Sequence, residues 1–324
     1  MIVVWRVTES CNLTCPFCAF DGSLKRPRRE ADWEQALSFG RTLSEYARET
    51  GDFVLVSWLG GEPLIWAPLK KLTEIFRKEL GLAVSTTTNG SSLLSGEMRA
   101  HLLENYAELT VSVDGIGEKH DAMRGWSGGY EKIRKGVRLL VEEKRQAGYG
   151  PKLRANVVLM RDSFADFEPL CLELATWGIE TITFNQLGGR DRPEFYPEHR
   201  LLPEQANLLG EVLPRLQDRL AVLGVHLQGG PEYLRRIKAT ARDECLAVKE
   251  CFPGKNFLFI DESGLAAPCS FTALECGVPI SEINSVEAFL TLSDHFGRTL
   301  GQKLPEACSD CHSNQVFDKF VGER

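Results

Sequence analysis

Short apolar runs alternate with longer amphipathic segments along the first part of the chain. Runs rich in β-branched and other apolar residues occur at six places, residues 2–8, 53–58, 82–87, 108–113, 152–159 and 180–185. Segments with helical spacing of apolar positions follow them, at residues 33–49, 67–80, 95–106, 130–147 and 164–176. Strands that alternate with helices form parallel sheets with right-handed crossovers. The pattern therefore predicts an α/β fold of six β/α units.

Polar residues follow several of these strands directly. The residues at the ends of the second, third and fourth strands are Gly60, Gly61, Glu62 and Pro63, then Thr88 and Asn89, then Ser112 and Asp114. In parallel barrels the carboxyl ends of the strands carry the active site. We therefore expect a partial (β/α)6 TIM barrel with its site at this edge. As isolated residues, the same side chains are also ordinary turn formers.

The composition changes after Gly188 and Gly189. The predicted elements that follow are a linker, an amphipathic helix, a short strand, a second helix and a hairpin, at residues 190–203, 203–222, around 225, 231–241 and 256–268. Pro214 is expected to kink or break the first of these helices. We divide the chain into a barrel, bridging helices and a small C-terminal α+β domain, at residues 1–190, 191–241 and 242–324.

The overall composition narrows the function classes. Hydrophobic residues make up 43% of the chain and charged residues 26%, as in ordinary globular proteins. A net charge of −7 disfavours nucleic acid as a partner. No apolar run reaches the roughly 18 residues of a membrane helix, and the first residues lack the features of a signal peptide. We therefore expect a cytoplasmic protein whose ten cysteines serve metal binding or catalysis rather than disulfides.

Three cysteines, Cys11, Cys15 and Cys18, lie in one loop after the first predicted strand. Thiolates are suitable ligands for iron–sulfur clusters or zinc. A cubane cluster normally takes four cysteines, so three would leave one iron open to another ligand. Half of a zinc site is the alternative, although tetrahedral zinc usually pairs one C-x2-C sequence with another.

The spacing C-x3-C-x-aromatic-C, with Phe17 at the aromatic position, resembles the signature of the radical S-adenosylmethionine (SAM) enzymes. The resemblance implies a [4Fe-4S] cluster whose open iron chelates the amino and carboxylate groups of SAM. It also implies reductive cleavage of SAM to methionine and a 5′-deoxyadenosyl radical, with a flavodoxin- or ferredoxin-type reductant. Such chemistry belongs to the cofactor, which the protein positions and shields.

The same resemblance assigns roles to the polar strand ends. Gly61 and Glu62 match the family's GGEP motif, which binds the SAM amino group, and Ser112 and Asp114 match a segment beside SAM. His120 to Gly125 resembles an HDxxRG segment that orders a loop and places Arg124 near SAM or substrate; a surface salt bridge is the alternative. The candidate cofactor contacts are Phe17, Gly60, Gly61, Glu62, Thr88, Asn89, Ser112, Asp114, Arg124, Asn156 and Leu187.

A second group of cysteines lies near the C-terminus. Cys251, Cys269, Cys308 and Cys311 resemble the Twitch module, a shortened SPASM domain, and imply one auxiliary [4Fe-4S] cluster. A structural zinc site of four cysteines is the alternative. Three cysteines remain, Cys171, Cys245 and Cys276. Cys245 is also a candidate cluster ligand. Both Cys245 and Cys276 are candidate hydrogen-atom donors, and the alternative for each is a buried apolar residue. We expect Cys171 in the core.

The substrate is the least determined part of this hypothesis. Enzymes that resemble this chain most often modify peptides or proteins by crosslinking, epimerisation or side-chain oxidation. Because the chain begins directly at the first strand, we expect no leader-binding domain before the barrel. The alternatives are dehydrogenation or epimerisation of a small polyol or amino sugar, and a non-catalytic metal scaffold or redox sensor.

Overall fold

The computed structural model describes residues 1–189, 191–246 and 255–311. Within these ranges ten strands form one sheet, in the order β10-β9-β8-β1-β2-β3-β4-β5-β6-β7. The strands are β1 (Ile2–Thr8), β2 (Leu55–Gly60), β3 (Ala83–Thr88), β4 (Glu108–Ser112), β5 (Lys152–Leu159), β6 (Thr181–Gln186), β7 (His226–Leu227), β8 (Phe257–Ile260), β9 (Leu265–Ala267) and β10 (Val278–Pro279). Each of the strands β1 to β6 pairs in parallel with the next, which confirms the predicted α/β fold and its partial barrel.

Helices connect these strands and cover the outer face of the sheet. In the described ranges they are α1 (Trp33–Thr50), α2 (Leu69–Glu74), α3 (Gly96–Asn105), α4 (Glu118–Arg124), α5 (Gly129–Ala147), α6 (Phe167–Thr176), α7 (Tyr196–His199), α8 (Pro203–Val222), α9 (Pro231–Ala241), α10 (Ala273–Cys276), α11 (Val286–Leu290), α12 (Leu292–Gln302) and α13 (Glu306–Ser309). Capping sets the ends of α1: the Asp32 side chain accepts from the backbone N–H of Gln35, and Gly51 ends the helix at φ 75°. No described helix is long and apolar enough to cross a membrane.

Alternation along the strands separates an outer core from an inner lumen. In β1, Val3, Trp5 and Val7 are buried under the helices. Trp5 lies beside Trp58 of the neighbouring strand, with ring centroids 5.9 Å apart. Ile2 and Val4, which alternate with them, line a cavity on the inner face of the sheet. The period of two therefore places one set of side chains in the core and the other in the lumen.

The C-terminal hairpin joins the barrel sheet directly. Its strands β8 and β9 pair antiparallel around the predicted turn, and β8 also pairs in parallel with β1. The register Ile2↔Phe257 to Trp5↔Ile260 covers the edge of β1 that the partial barrel leaves unpaired. The division into three domains stays a prediction, because the hairpin predicted for the small domain is continuous with the main sheet.

Other elements differ from the sequence-based expectation. Pro214 does not break α8, which runs from Pro203 to Val222 and is fixed by a row of buried leucines. The helix predicted at 67–80 is α2 followed by a π-helical turn at Ile75–Glu79. The pattern also missed α4, α7 and α10 to α13. Five of these six helices are four to seven residues long, too short for helical periodicity to be recognised, whereas α12 has eleven residues.

Candidate active site

The cysteine loop lies at the carboxyl end of β1, and two of its backbone N–H groups donate to cysteine sulfurs. The N–H of Leu13 donates to Cys11 Sγ at 3.5 Å, and the N–H of Phe20 donates to Cys18 Sγ at 3.4 Å. Cys15 is 5% exposed, and its thiol lies 3.8 Å from the carbonyl oxygen of Arg124. The three thiols are close enough for their charges to interact. The loop therefore presents three cysteines to one site.

The chemistry of this donor set fits a cluster. Burial raises the pKa of Cys11 and Cys18 and raises the pKa of Cys15 to about 12. Such buried thiols become thiolates when a metal compensates the negative charge. No group of three His, Cys, Asp or Glu side chains in the described ranges could hold a single ion. In a cubane, by contrast, each thiolate binds a different iron.

Arg124 lies beside the three thiols and is held by a buried ion pair. Its Nε and Nη2 contact Asp114 Oδ2 at 2.6 and 2.5 Å, and the Asp114 side chain is 0% exposed. The guanidinium also stacks 5.5 Å from the ring centroid of Phe17. The surface salt bridge considered for Arg124 is therefore wrong, since both partners are buried. The loop expected for this segment is helix α4, which brings Arg124 back toward the cysteine loop.

Asp114 connects three elements at this edge. Besides Arg124, its Oδ1 accepts from the N–H of Val158 at 2.8 Å. Its own N–H donates to His120 Nδ1 at 3.2 Å. Burial lowers the pKa of His120 to about 4, so the imidazole is neutral near pH 7 and suited to accept this hydrogen bond. Asp114 thus joins the ends of β4 and β5 to α4.

Glu62 is fully buried beneath the same edge. Its Oε1 accepts from the N–H of Leu64 at 3.1 Å and from Thr88 Oγ1 at 2.7 Å. Its Oε2 accepts from the N–H of Asn89 at 2.6 Å, and burial raises the pKa of the carboxyl to about 7. A carboxylate has about four acceptor positions, so one remains for an ammonium. The SAM contact of Glu62 stays a prediction.

Asn89 connects this carboxylate to the cysteine loop. Its Nδ2 donates to Asn12 Oδ1 at 2.9 Å and lies 3.9 Å from Cys11 Sγ. Glu62 and Asn89 thus tie the ends of β2 and β3 to the loop after β1. The sequence pattern placed these residues at one edge, and the structure confirms that placement.

Gly60 and Gly61 are required by backbone packing. A Cβ at Gly61 would lie 2.3 Å from the carbonyl oxygen of Ser10, and one at Gly60 would lie 2.6 Å from that of Thr8. Both glycines therefore allow a close approach to the end of β1 and to the start of the cysteine loop. The SAM contacts assigned to both glycines stay predictions.

We expect Gly61→Ala to lower the iron bound by the cysteine loop. The added Cβ forces the loop to shift at Ser10, next to Cys11. The expected loss after anaerobic reconstitution is roughly the four irons of one cubane, with an unchanged far-UV circular dichroism spectrum. Gly297→Ala is the control, because no atom lies within 4 Å of its added Cβ. Equal iron contents in both variants would contradict this role of Gly61.

The remaining candidate contacts lie at the same edge. Ser112 and Asn156 are register partners on β4 and β5, and Leu187, directly after β6, is 6% exposed. Phe17 packs against Phe195 with ring centroids 6.5 Å apart. The structure thus brings all the predicted cofactor residues to the carboxyl edge of the sheet. Their contacts with SAM stay predictions.

Sequence reasoning missed two residues that hold the cysteine loop. Arg192 Nη1 pairs with Asp21 Oδ2 at 3.2 Å, from a segment predicted to be a linker. Arg6 Nε pairs with Glu262 Oε2 at 2.5 Å, between the rings of Phe20 and Phe259. Neither arginine belongs to a spaced motif, so the sequence held no signal for these contacts.

The lumen below this edge is small and polar. It encloses about 180 Å³. Its uncharged polar side chains are Ser57, Ser85, Thr87, Thr110, Asn156, Thr183 and Asn185. The two charged side chains in its lining neutralise each other, because Arg154 Nη1 lies 2.8 Å from Glu108 Oε2.

Two cysteines of the second group, Cys269 and Cys311, lie close to each other. Burial raises the pKa of the Cys269 thiol. The Cys245 thiol donates to the Ser309 carbonyl at 3.1 Å, so Cys245 lies beside the segment of Cys308 and Cys311. Cys251 lies outside the described residues.

Three further cysteines were given other roles by the sequence. Cys276 is 5% exposed, at the end of α10. Neither Cys245 nor Cys276 lines the lumen, and their roles as hydrogen-atom donors stay predictions. Cys171 is 0% exposed, which confirms its expected place in the core.

Comparison with known proteins agrees with this geometry. The chain is 28% identical over 300 residues to the AdoMet-dependent heme synthase of Oleidesulfovibrio alaskensis, covering 85% of this chain and 71% of that protein. It is 26% identical to the PqqA peptide cyclase of Xanthomonas campestris pv. campestris, covering 97% of this chain and 80% of that protein.

A solved structure shares the fold. Streptococcus suis SuiB bound to precursor peptide SuiA superposes with a TM-score of 0.64 and 18% identity. The match covers 89% of this chain and 64% of SuiB, so this chain spans less than two thirds of that protein's length. The family model of the Radical SAM superfamily matches residues 5–170, slightly more than half of the chain. The chain therefore belongs to the radical SAM superfamily.

Proposed function

We propose that this radical SAM enzyme takes a hydrogen atom from a side chain or from the backbone of a peptide or protein and thereby oxidises, crosslinks or epimerises the residue. Membership of the superfamily implies SAM and a [4Fe-4S] cluster, and makes the chain an enzyme rather than a non-catalytic scaffold. Cys11, Cys15 and Cys18 would hold that cluster. When bound, it supplies the electron that cleaves SAM to methionine and the hydrogen-abstracting 5′-deoxyadenosyl radical.

The main observation that supports this proposal is the volume of the lumen. Its volume of about 180 Å³ is below the roughly 300–1,000 Å³ of pockets that enclose a whole small molecule. It therefore suits one arm of a larger substrate, whose remainder lies outside the barrel. A peptide meets this condition, since one side chain enters the lumen while the main chain stays at its mouth.

The lining also favours an uncharged, hydrogen-bonding arm. Asn156 Oδ1 accepts from Thr183 Oγ1 at 2.9 Å and from Asn185 Nδ2 at 2.8 Å. These bonds orient Asn156 Nδ2 and Asn185 Oδ1, which have no hydrogen-bond partner among the described residues. A donor and an acceptor side by side complement an amide. The Glu108–Arg154 pair leaves no net charge in the lining to select an ionised arm.

The relatives support the same substrate class. The PqqA peptide cyclase aligns over 97% of this chain, and the superposed SuiB structure contains a precursor peptide. The second candidate is a heme precursor, which is favoured by the 28% identity to a heme synthase. The sugar or polyol alternative rests on the resemblance to enzymes with one auxiliary cluster, and the hydroxyl groups of the lumen are compatible with it.

We further propose that Cys251, Cys269, Cys308 and Cys311 hold an auxiliary [4Fe-4S] cluster. The charge interaction of Cys269 with Cys311 supports their common site. Four thiolates saturate a cubane, so this cluster would accept an electron from the product radical rather than bind substrate. A zinc site of four cysteines is the alternative, and metal analysis after anaerobic reconstitution distinguishes the two.

Substrate screening by mass spectrometry tests the proposed function. The reconstituted enzyme is incubated anaerobically with SAM, reductant and one of three probes: peptides encoded beside its gene, iron coproporphyrin III, or a mixture of polyols and amino sugars. A peptide that loses two hydrogens, gains a crosslink or takes up solvent deuterium supports the proposal. Conversion of the porphyrin or of a sugar, with no peptide changed, would assign the enzyme to another substrate class.

Asn185→Leu is expected to lower peptide modification about tenfold or more. The leucine removes one polar group of the lumen and leaves the Asn156 carbonyl with one donor fewer, a loss of about 1–3 kcal/mol. SAM cleavage continues, so the ratio of 5′-deoxyadenosine to modified peptide rises. Asn284→Leu, at an exposed position, is the control. An unchanged ratio in Asn185→Leu would show that the arm does not contact this amide.

A further inference from the structure

A basic groove lies on the outer surface between α5 and the loop after β3. It has a volume of about 610 Å³, and its lining residues are Leu94, Glu131, Lys132, Arg134, Lys135, Arg138 and Leu139. The six residues from α5 recur at spacings of three and four along the helix and therefore share its outward face. The groove lies outside the barrel and is separate from the lumen.

The groove concentrates positive charge on an acidic protein. Arg134 is compensated, since its Nη2 lies 2.5 Å from Glu131 Oε2 and its Nη1 lies 3.8 Å from Glu173 Oε1. Lys132, Lys135 and Arg138 have no carboxylate within ion-pair distance in the described ranges of the chain. The whole chain carries a net charge of −7, so this local excess of cations attracts an acidic partner to one place.

Two segments that flank the groove also contact the loop that carries Cys11, Cys15 and Cys18. Asn12, next to Cys11, donates from Nδ2 to Ser91 Oγ at 3.0 Å, in the loop that continues to Leu94. On the other side, a Cβ added at Gly125 would lie 2.0 Å from Thr14 Oγ1. The following residue, Trp126, stacks under the Lys132 ammonium at 5.3 Å. Asn12 and Thr14 are both exposed.

The groove also contains exposed apolar side chains, as protein-binding surfaces do. Leu94 is 43% exposed and Leu139 is 36% exposed, and both line the groove. Protein interfaces combine apolar contacts with a charged, solvent-accessible rim. A small ion or a metabolite would need the cations but not the exposed leucines.

We infer that the basic groove docks an acidic electron-carrier protein of the flavodoxin type. The inference rests on the proposed function, because each reductive cleavage of SAM consumes one electron from outside the enzyme. One electron leaves the reduced carrier, which is oxidised, and enters the SAM cluster, which is reduced. That electron would break the C5′–S bond of SAM and give methionine and the 5′-deoxyadenosyl radical. The Asn12–Ser91 and Lys132–Trp126 contacts connect the flanks of the groove to the loop whose thiols would hold the cluster.

Charge reversal in the groove tests the docking. The holoenzyme and the triple variant Lys132→Glu, Lys135→Glu, Arg138→Glu are compared for release of 5′-deoxyadenosine with two reductants. One is a purified flavodoxin kept reduced by its reductase, and the other is dithionite. The variant should need about tenfold more flavodoxin for half-maximal rate, while its dithionite rate stays near that of the wild type. The flavodoxin concentration that the wild type needs for half-maximal rate should also rise with salt. Salt screens the attraction, since the Debye length falls to about 8 Å at 0.15 M ionic strength.

A matched variant makes the readout specific. Arg41→Glu, Arg48→Glu and Arg77→Glu impose the same change of charge at exposed positions of α1 and of the π-helical turn after α2. This control should keep the flavodoxin requirement of the wild type. The inference is overturned if both triple variants lose flavodoxin-driven cleavage equally, or if the groove variant keeps the wild-type ratio of flavodoxin-driven to dithionite-driven rate. If wild-type enzyme released no 5′-deoxyadenosine with dithionite, the proposed function itself would fail.

Discussion

Simultaneous replacement of Cys11, Cys15 and Cys18 by alanine is expected to abolish the release of 5′-deoxyadenosine from SAM. Alanine provides no ligand, and the backbone N–H groups of Leu13 and Phe20 then face no sulfur. The iron content after anaerobic reconstitution should fall from about eight to about four atoms per chain, since one of two cubanes is lost. Liquid chromatography of the reaction and iron analysis of the same sample measure both effects.

The matched control is Cys171→Ala. Cys171 is 0% exposed in α6 and lies in the barrel core away from the cysteine loop. Its replacement leaves a small cavity and should lower the free energy of unfolding by about 1 kcal/mol. The iron content should stay that of the wild type. Release of 5′-deoxyadenosine by the triple variant at the wild-type rate would remove these cysteines from the reaction.

Those parts of the site whose residues are close together in the sequence could be predicted from it. Cys11, Cys15 and Cys18 lie within one loop, so their spacing alone carries the signal. The strands were also visible, because an apolar run of five to eight residues between turn signals reads as a buried strand. The common edge of Glu62 and Asn89 then followed from the parallel sheet.

The partners of these residues could not be predicted, because they come from distant parts of the chain. The sequence held no signal that the Glu62 carboxylate, expected to contact SAM, also accepts from Leu64, Thr88 and Asn89. Strand β8 was assigned to a separate domain, yet it pairs with β1. Both outcomes depend on tertiary contacts that no local pattern encodes. A buried carboxylate takes whichever donors the folded strand ends supply.

Asp114→Asn is expected to lower the free energy of unfolding by about 3–5 kcal/mol. The substitution keeps the shape of the side chain but removes the charge that compensates Arg124, whose side chain is 11% exposed. Removing one partner of a buried ion pair leaves the other charge without compensation in a site of low polarity. The midpoint of urea unfolding, measured anaerobically at constant slope, gives the loss.

An exposed ion pair provides the comparison. Lys70 Nζ lies 2.6 Å from Glu97 Oε1, but the Glu97 side chain is 83% exposed. Glu97→Gln should therefore cost less than about 1 kcal/mol, because water already compensates both charges. Equal losses in Asp114→Asn and Glu97→Gln would show that burial of the Asp114–Arg124 pair does not matter for stability.

The double variant separates the ion pair from the other contacts of Asp114. Arg124→Met removes the guanidinium, so Asp114→Asn in that background no longer exposes an unpaired cation and should cost less than in the wild type. What remains is the weaker hydrogen bond from Val158 N–H to an amide oxygen. A coupling energy of about 0.5–3 kcal/mol is expected for residues in direct contact. Strict additivity of the two substitutions would mean that each residue stabilises the edge through separate contacts, and that the buried pair does not anchor α4 beside the cysteine loop.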